Sequence, residues 1–280
     1  MALKYFNYFV GGSEAWNAED VTSIDAALEA SMKDEHLNNV MAQYYAEPIT
    51  TEFLGHALLA GSEPKVVSQG DIENLVRRFD QEGTLAGIDL ASTVLNFMLP
   101  SGTILNTDSA PTGGTIGSRL EGGPAGRGAV PHEEEDSTQG LGGYHGSIHA
   151  DGKTVYYAVG VFSELWPDGT ENGIVVFDRP WKNVVATFYH ELNEARTDPD
   201  VEDAIRAGDD PDAVRFLGWT SPQGEECGDF PVFEANPLSL VFQEVDLAIG
   251  AGRVPVQFQY SNAVHGPEGP IARAHASAVV

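Results

Sequence analysis

The chain has a single cysteine, Cys227, in 280 residues. Neither an intramolecular disulfide nor a cysteine-rich zinc module can form. Basic residues are scarce: 15 Lys and Arg stand against 42 Asp and Glu, for a formal net charge of −27. Such a surface repels nucleic acid phosphates and anionic lipid heads, so neither nucleic acid nor a membrane surface is expected as a partner. No run of about 18 apolar residues occurs, which excludes a transmembrane helix. The opening residues, Met1 to Val10, lack the apolar stretch and cleavage site of a secretory leader. Gly-x-Ser-x-Gly, a phosphate-binding loop and a dinucleotide fingerprint are also missing. The excess of acid over base points instead toward cations, or toward a solvated acidic surface.

Enough apolar residues are present, 42% of the chain, to bury a sizeable core. Lys4 to Val10 reads as a strand closed by Gly11-Gly12, Val21 to Met32 as a helix capped near Asp20, and Asn39 to Tyr45 as a strand. Ile72, Leu75, Val76 and Phe79 keep a helical period from Asp71, and Thr93 to Leu99 is a short buried strand. Tyr144 to His149 and Thr154 to Phe162 are strands joined by Ala150-Asp151-Gly152-Lys153, whose Asp-Gly favours a hairpin. Ile174 to Phe177 suggests a further strand, and Leu238 to Ala248 and Val254 to Tyr260 are late apolar segments. The expectation is an α/β fold: one domain over residues 1–280 with a mixed sheet. Residues 107–143 carry 10 glycines and little apolar period, and are expected to form a loop or flap inserted within it.

One segment carries chemistry. From Trp181 to Arg196 an amphipathic helix is expected, with Pro180 suited to its first position and Asp198-Pro199 closing it. At roughly 100° per residue, Val184, Val185, Phe188, Leu192 and Ala195 share an apolar face. Thr187, His190, Glu191, Glu194 and Asp198 form an adjoining polar stripe. His190 and Glu194 stand one turn apart and can grip one ion, as the histidines of H-E-x-x-H do, with Glu191 as the water-activating base. Here the second histidine is a glutamate. A solvated polar helix face is the alternative.

The order of short motifs adds to this. Leu99-Pro100-Ser101-Gly102-Thr103, Tyr144-His145-Gly146-Ser147, Tyr156-Tyr157-Ala158-Val159 and His190 through Pro199 appear in turn. Gly218-Trp219, Glu226-Cys227-Gly228-Asp229 and Val256-Gln257-Phe258-Gln259-Tyr260-Ser261-Asn262 follow. In this order the chain resembles a bacterial, mostly secreted family of zincin-like metallohydrolase character, distantly similar to plant phosphate-induced, exordium-type proteins. The resemblance spans roughly residues 94–265. It departs at Gly143 and Pro231, where cysteines are usual in that family, so the disulfide and the oxidising compartment it implies are not supported here and the localisation stays open.

A zinc site needs three or four N/O ligands around one point. His190 and Glu194 supply two. Glu226 and Asp229 are the best additions, because Gly224 and Gly228 let the backbone turn their carboxylates inward. His145 belongs to the same motif set, either as a buried structural histidine or as a group that stabilises a developing oxyanion. Asp200 is a weaker third ligand, Arg196 a neutraliser of nearby acids, and His132 a loop residue. Cys227 is a packed residue rather than a nucleophile, since surrounding carboxylates raise its pKa. The reading is a metal-dependent hydrolase, peptidase-like, taking a peptide or other small substrate: a divalent ion, zinc foremost, held by His190, Glu194, Glu226 and Asp229, with Glu191 and His145 catalytic. The alternative is a non-catalytic surface or interaction protein, whose carboxylates hold a structural calcium.

Overall fold

The computed structural model describes residues 2–34, 40–107, 136–150, 152–201, 203–204, 215–221, 225–247 and 252–268. Its centre is a five-stranded mixed sheet in the order β2-β1-β4-β7-β6. The strands are β1 (Ala2–Val10), β2 (Thr50–Leu59), β4 (Thr93–Met98), β6 (Gly143–Ala150) and β7 (Lys153–Gly160). The pairs β1/β2, β1/β4 and β4/β7 are parallel, and only the hairpin partner β6 runs antiparallel, at the edge. The expected α/β architecture with a mixed sheet is what the chain adopts. Shorter strands are β3 (Val66–Ser68), β5 (Ile104–Asn106), β8 (Glu164–Leu165), β9 (Glu171–Asn172), β10 (Phe242–Asp246), β11 (Arg253–Gln257), β12 (Gln259–Ser261) and β13 (Gly266–Glu268).

Helices cover both faces. On one lie α1 (Ala18–Lys33), capped by Asn17 rather than near Asp20, and α3 (Pro180–Thr197), which begins with Pro180 in its first turn. They bury Ile24, Leu28, Val184, Phe188 and Leu192 against Tyr5, Phe9, Val94, Met98 and Ala158 of the sheet. On the other face α2 (Gln69–Gln81), opened by a Ser68/Asp71 capping box, packs Ile72, Val76 and Phe79 against Tyr8, Leu95, Phe97 and Tyr157. The β10–β11 ribbon adds Val245, Val254 and Val256 to the α1/α3 side. Helix α3 is thereby covered on more than its apolar face, and 13 of its 18 residues are buried. Its polar stripe is not a solvated face.

Two expected strands are absent. The described part of the segment from Asn39 to Tyr45 is helical, ending in a 3-10 turn at Ala42–Tyr44. Val40 and Met41 are both buried, and consecutive residues of a strand point to opposite faces. Gln43 and Tyr44 donate to the Tyr260 carbonyl, and the Tyr45 hydroxyl to that of Arg196, so this turn anchors distant segments. Ile174 to Phe177 also forms no strand. The amides of Val176 and Phe177 donate to Asn183 Oδ1, while Asn183 Nδ2 donates to the Ser163 carbonyl. The loop is tied to the first turns of α3 instead of to a ladder. Of residues 107–143, the stretch 108–135 lies outside the described residues. The rest is integrated: Asp136 bridges Asn106, Ser137–Gln139 forms a 3-10 turn, and Gly143 opens β6.

Strand β2 contains a bulge: Tyr5 pairs with Phe53, but Asn7 pairs with His56. The extra residue coincides with Gly55 at φ +113, a conformation open chiefly to glycine. One added residue exchanges the faces. Phe53 packs on the α1 side, whereas Ala57 and Leu59 pack on the α2 side. His56 is thereby turned to Asp25 of α1, whose other oxygen accepts from fully buried Asn7, which in turn accepts from Asn96. Asp25→Ala should strand the Asn7 donor in the core and cost about 1–3 kcal/mol. A urea midpoint unchanged from the parent would show that the network contributes nothing to stability.

Candidate metal centre

The site forms where α3 meets β6 and the turn Glu226–Asp229. His190, Glu191 and Glu194 come from α3, His145 from near the start of β6, and Asp229 from the start of α4 (Asp229–Glu234). His190 Nε2 lies 3.0 Å from Glu194 Oε2 and 3.5 Å from Asp229 Oδ1. Two atoms bound to one ion at about 2.0–2.2 Å stand roughly 3.0–3.6 Å apart. The other oxygen of Glu194 accepts from the amides of Gly228 and Asp229, each at 3.0 Å. That contact requires the glycine: a Cβ on Gly228 would sit 2.6 Å from His190 Nδ1 and 2.9 Å from Glu194 Oε1.

His145 approaches from the opposite side. Its Nε2 is 2.9 Å from the Asp198 carbonyl, which can only accept, so that nitrogen carries a proton. Its Nδ1 faces Glu191 Oε2 at 3.3 Å and Glu194 Oε2 at 3.9 Å. Glu191 Oε1 is 4.0 Å from His190 Nε2. The arrangement closes around Glu194, with His190, Glu194 and Asp229 as one group of convergent donors and His145, Glu191 and Glu194 as a second.

Glu226 sits on the far side of His145, its Oε1 3.6 Å from Nε2, and belongs to neither group. That oxygen is buried without a hydrogen-bond partner, as is Asp198 Oδ2. The remaining Asp198 oxygen accepts from the Gly218 amide, which docks the Gly218-Trp219 element onto the end of α3. Trp219 stacks on Tyr260, and Phe230 and Tyr44 meet this pair edge-on.

No protein-family model, curated protein or solved structure matches this chain. The electrostatics of the buried cluster are therefore what bear on function. Five carboxylates, those of Glu191, Glu194, Asp198, Glu226 and Asp229, surround two imidazoles. Burial, then the Glu194 and Asp229 charges, push Glu226 well above the ordinary carboxylate range. Burial and Glu194 carry Asp229 to about 6, and burial lifts Asp198 to about 6. Burial alone would lower the two histidines, yet Glu191 and Glu194 carry His145 to about 9, and Glu194 holds His190 well above its usual value. Burial would raise Glu194, but the His190 charge beside it keeps it below. Without a further cation, protons must do the neutralising.

The other sequence candidates are placed differently. Asp200 accepts from Ser147 Oγ at 2.7 Å and joins His149 and Asp203 in a separate, more open group. There His149 Nε2 is already paired with Asp203 at 2.6 Å. Arg196 is buried but donates to Thr51 Oγ1 on β2. Cys227 is fully buried, as a packed residue should be, with its thiol pushed up by burial and by Glu194. His132 lies outside the described residues.

Sequence reasoning missed Gln257, whose Oε1 lies 3.1 Å from His190 Nδ1. The available signal was its motif, Val256 to Asn262, which was quoted for order without a role.

Proposed function

We propose that this protein is a metal-dependent hydrolase, peptidase-like in substrate class, with its ion held by His190, Glu194 and Asp229. The observation that carries this is the convergence of His190 Nε2, Glu194 Oε2 and Asp229 Oδ1 at one point inside a buried excess of carboxylate. The fit is good. Glu226 and Asp198 each retain an orphaned oxygen, which a nearby divalent charge stabilises. Imidazole among the donors suits zinc better than calcium, which takes six to eight oxygens. When bound, the ion supplies Lewis acidity, polarising a carbonyl and lowering the pKa of water.

The chain's own residues supply the rest. Glu191 lies beside the donor group without belonging to it and accepts a proton from the attacking water. His145 Nδ1, 3.3 Å from Glu191 Oε2, orients that carboxylate and, when protonated, places positive charge where an oxyanion develops. Substrate enters on the side of His190 and Asp229, whose side chains are 12% and 20% exposed, against 3–4% for His145, Glu191 and Glu226.

That same enclosure favours a second reading, in which the ion only joins β6, α3 and the Glu226–Asp229 turn. Elemental analysis of protein purified without added metal, together with cleavage of a broad peptide library, tests both. Zinc near one equivalent with cleavage supports the hydrolase. One equivalent of ion with no cleavage supports the staple, and no ion after zinc is offered removes both.

A further inference from the structure

We propose that Gln257 is the positioning residue that fixes His190 in a single tautomer, protonated at Nδ1, so that Nε2 alone is presented to the ion; the inference rests on the metal-centre reading above. The argument is one of elimination. An amide side chain can be turned either way, and its neighbours decide which end is oxygen. Gln257 Nε2 lies 3.0 Å from the Gly228 carbonyl and 2.5 Å from the Phe258 carbonyl. Both can only accept, so this end must be the NH₂. The opposite end is therefore the oxygen, and it faces His190 Nδ1 at 3.1 Å.

Gln259 holds the same end in place. Its Nε2 donates to Gln257 Oε1 at 2.6 Å and to the Gln257 carbonyl at 3.2 Å, while its own Oε1 accepts from Cys227 Sγ at 3.4 Å. Both glutamines are buried, at 1% and 2% exposure, so water cannot substitute. Against a fixed acceptor, His190 Nδ1 must donate. With Nδ1 kept as a donor, the proton that an incoming ion displaces is the one on Nε2, which faces Glu194 and Asp229, and the Nε2 lone pair then forms the ligand bond. Histidines that bind metals are usually held in this way by an oxygen on the other nitrogen, and loss of that partner costs about 10- to 100-fold in metal affinity. The chain Cys227–Gln259–Gln257–His190 thus couples the Glu226–Asp229 turn and the strands β11 and β12 to the ion-facing nitrogen.

The test uses the full chain labelled with ¹⁵N-histidine, observed by NMR without metal and again with zinc. The parent should show a proton on His190 Nδ1 in both states, and with zinc bound a neutral ring that is protonated there alone. Gln257→Met keeps the length and the packing but removes the acceptor. It should give a mixed ring signal, with zinc affinity lower by about 10- to 100-fold. Gln259→Met, which leaves the Gln257 oxygen in place, should change affinity in the same direction but less, and serves if Gln257→Met does not fold. A zinc-bound parent ring without a proton at Nδ1, or a zinc-bound Gln257→Met ring still fixed at Nδ1 with affinity within twofold of the parent, overturns the inference. The metal-free spectrum reports whether Nδ1 carries a hydrogen-bonded proton before any ion is present. A parent with the Nδ1 proton that fails to bind zinc would therefore support the positioning role and sink the metal centre instead.

Discussion

His190→Ala should yield a protein that no longer binds zinc and no longer gains stability from it. His190 Nε2 faces both carboxylates of its donor group, at 3.0 and 3.5 Å. A ligand that binds only the folded state stabilises it by about 2.7 kcal/mol at a hundredfold excess over Kd. For a chain of this size that corresponds to a rise in melting temperature of roughly 5–10 °C. The parent should show this rise on zinc addition and its reversal on chelation, and the variant should show neither. The zinc response matters more than the absolute melting temperature, because removing His190 also leaves Glu194 without its neutralising neighbour. Affinity should increase with pH. Binding displaces protons from Asp229, whose carboxyl stands at about 6, and from His190, which is held above its ordinary value. Each proton released favours the bound state as the pH rises. A His190→Ala protein that keeps one equivalent of ion would move the site to the His145, Glu191 and Glu194 group.

How far the sequence could lead is plain from particular segments. Helix α3 was legible because Pro180 sets its first turn and its apolar residues keep a 3.6-residue period. The β6–β7 hairpin was legible from Asp-Gly. Strand β2 was not, because Leu54 and Leu58 occupy exposed positions between half-buried Phe53, Ala57 and Leu59, which leaves no wholly polar face for a reader to see. The turn at Ala42–Tyr44 was misread because an apolar run of that length has no decisive period, and its structure is fixed by Tyr260 and Arg196, more than 150 residues away. In the site, i, i+4 spacing placed His190 beside Glu194, while Gly228, expected to let the backbone turn, has an ordinary φ of −91 and is needed because the turn comes up against that pair. Whether the polar stripe of α3 was buried could not be read locally. Its cover comes from β11 and the Glu226–Asp229 turn, with contacts that span 34 to 67 residues. Gln257 was hidden for a related reason: a single glutamine in a strand carries no periodic signal, and only the fold reveals that it faces His190.

Glu191→Gln separates catalysis from structural ion binding. Glu191 stands outside the His190, Glu194 and Asp229 group, its Oε1 4.0 Å from His190 Nε2. Gln has nearly the same shape and keeps a carbonyl oxygen for His145 Nδ1, now 3.3 Å from Glu191 Oε2. The variant should therefore retain one equivalent of zinc and a melting temperature close to the parent's. It cannot, however, accept a proton from water, and losing a positioned base lowers rates by about 10²- to 10⁴-fold. Metal content, thermal unfolding and peptide cleavage measured side by side would decide the case. Retained zinc with cleavage reduced at least a hundredfold assigns Glu191 as the base. Loss of zinc would make it a ligand and move the ion toward His145. If parent and variant both hold zinc, melt alike and cleave nothing, the hydrolase reading fails, and the ion's role is to staple α3 to β6 and to the turn that carries Asp229.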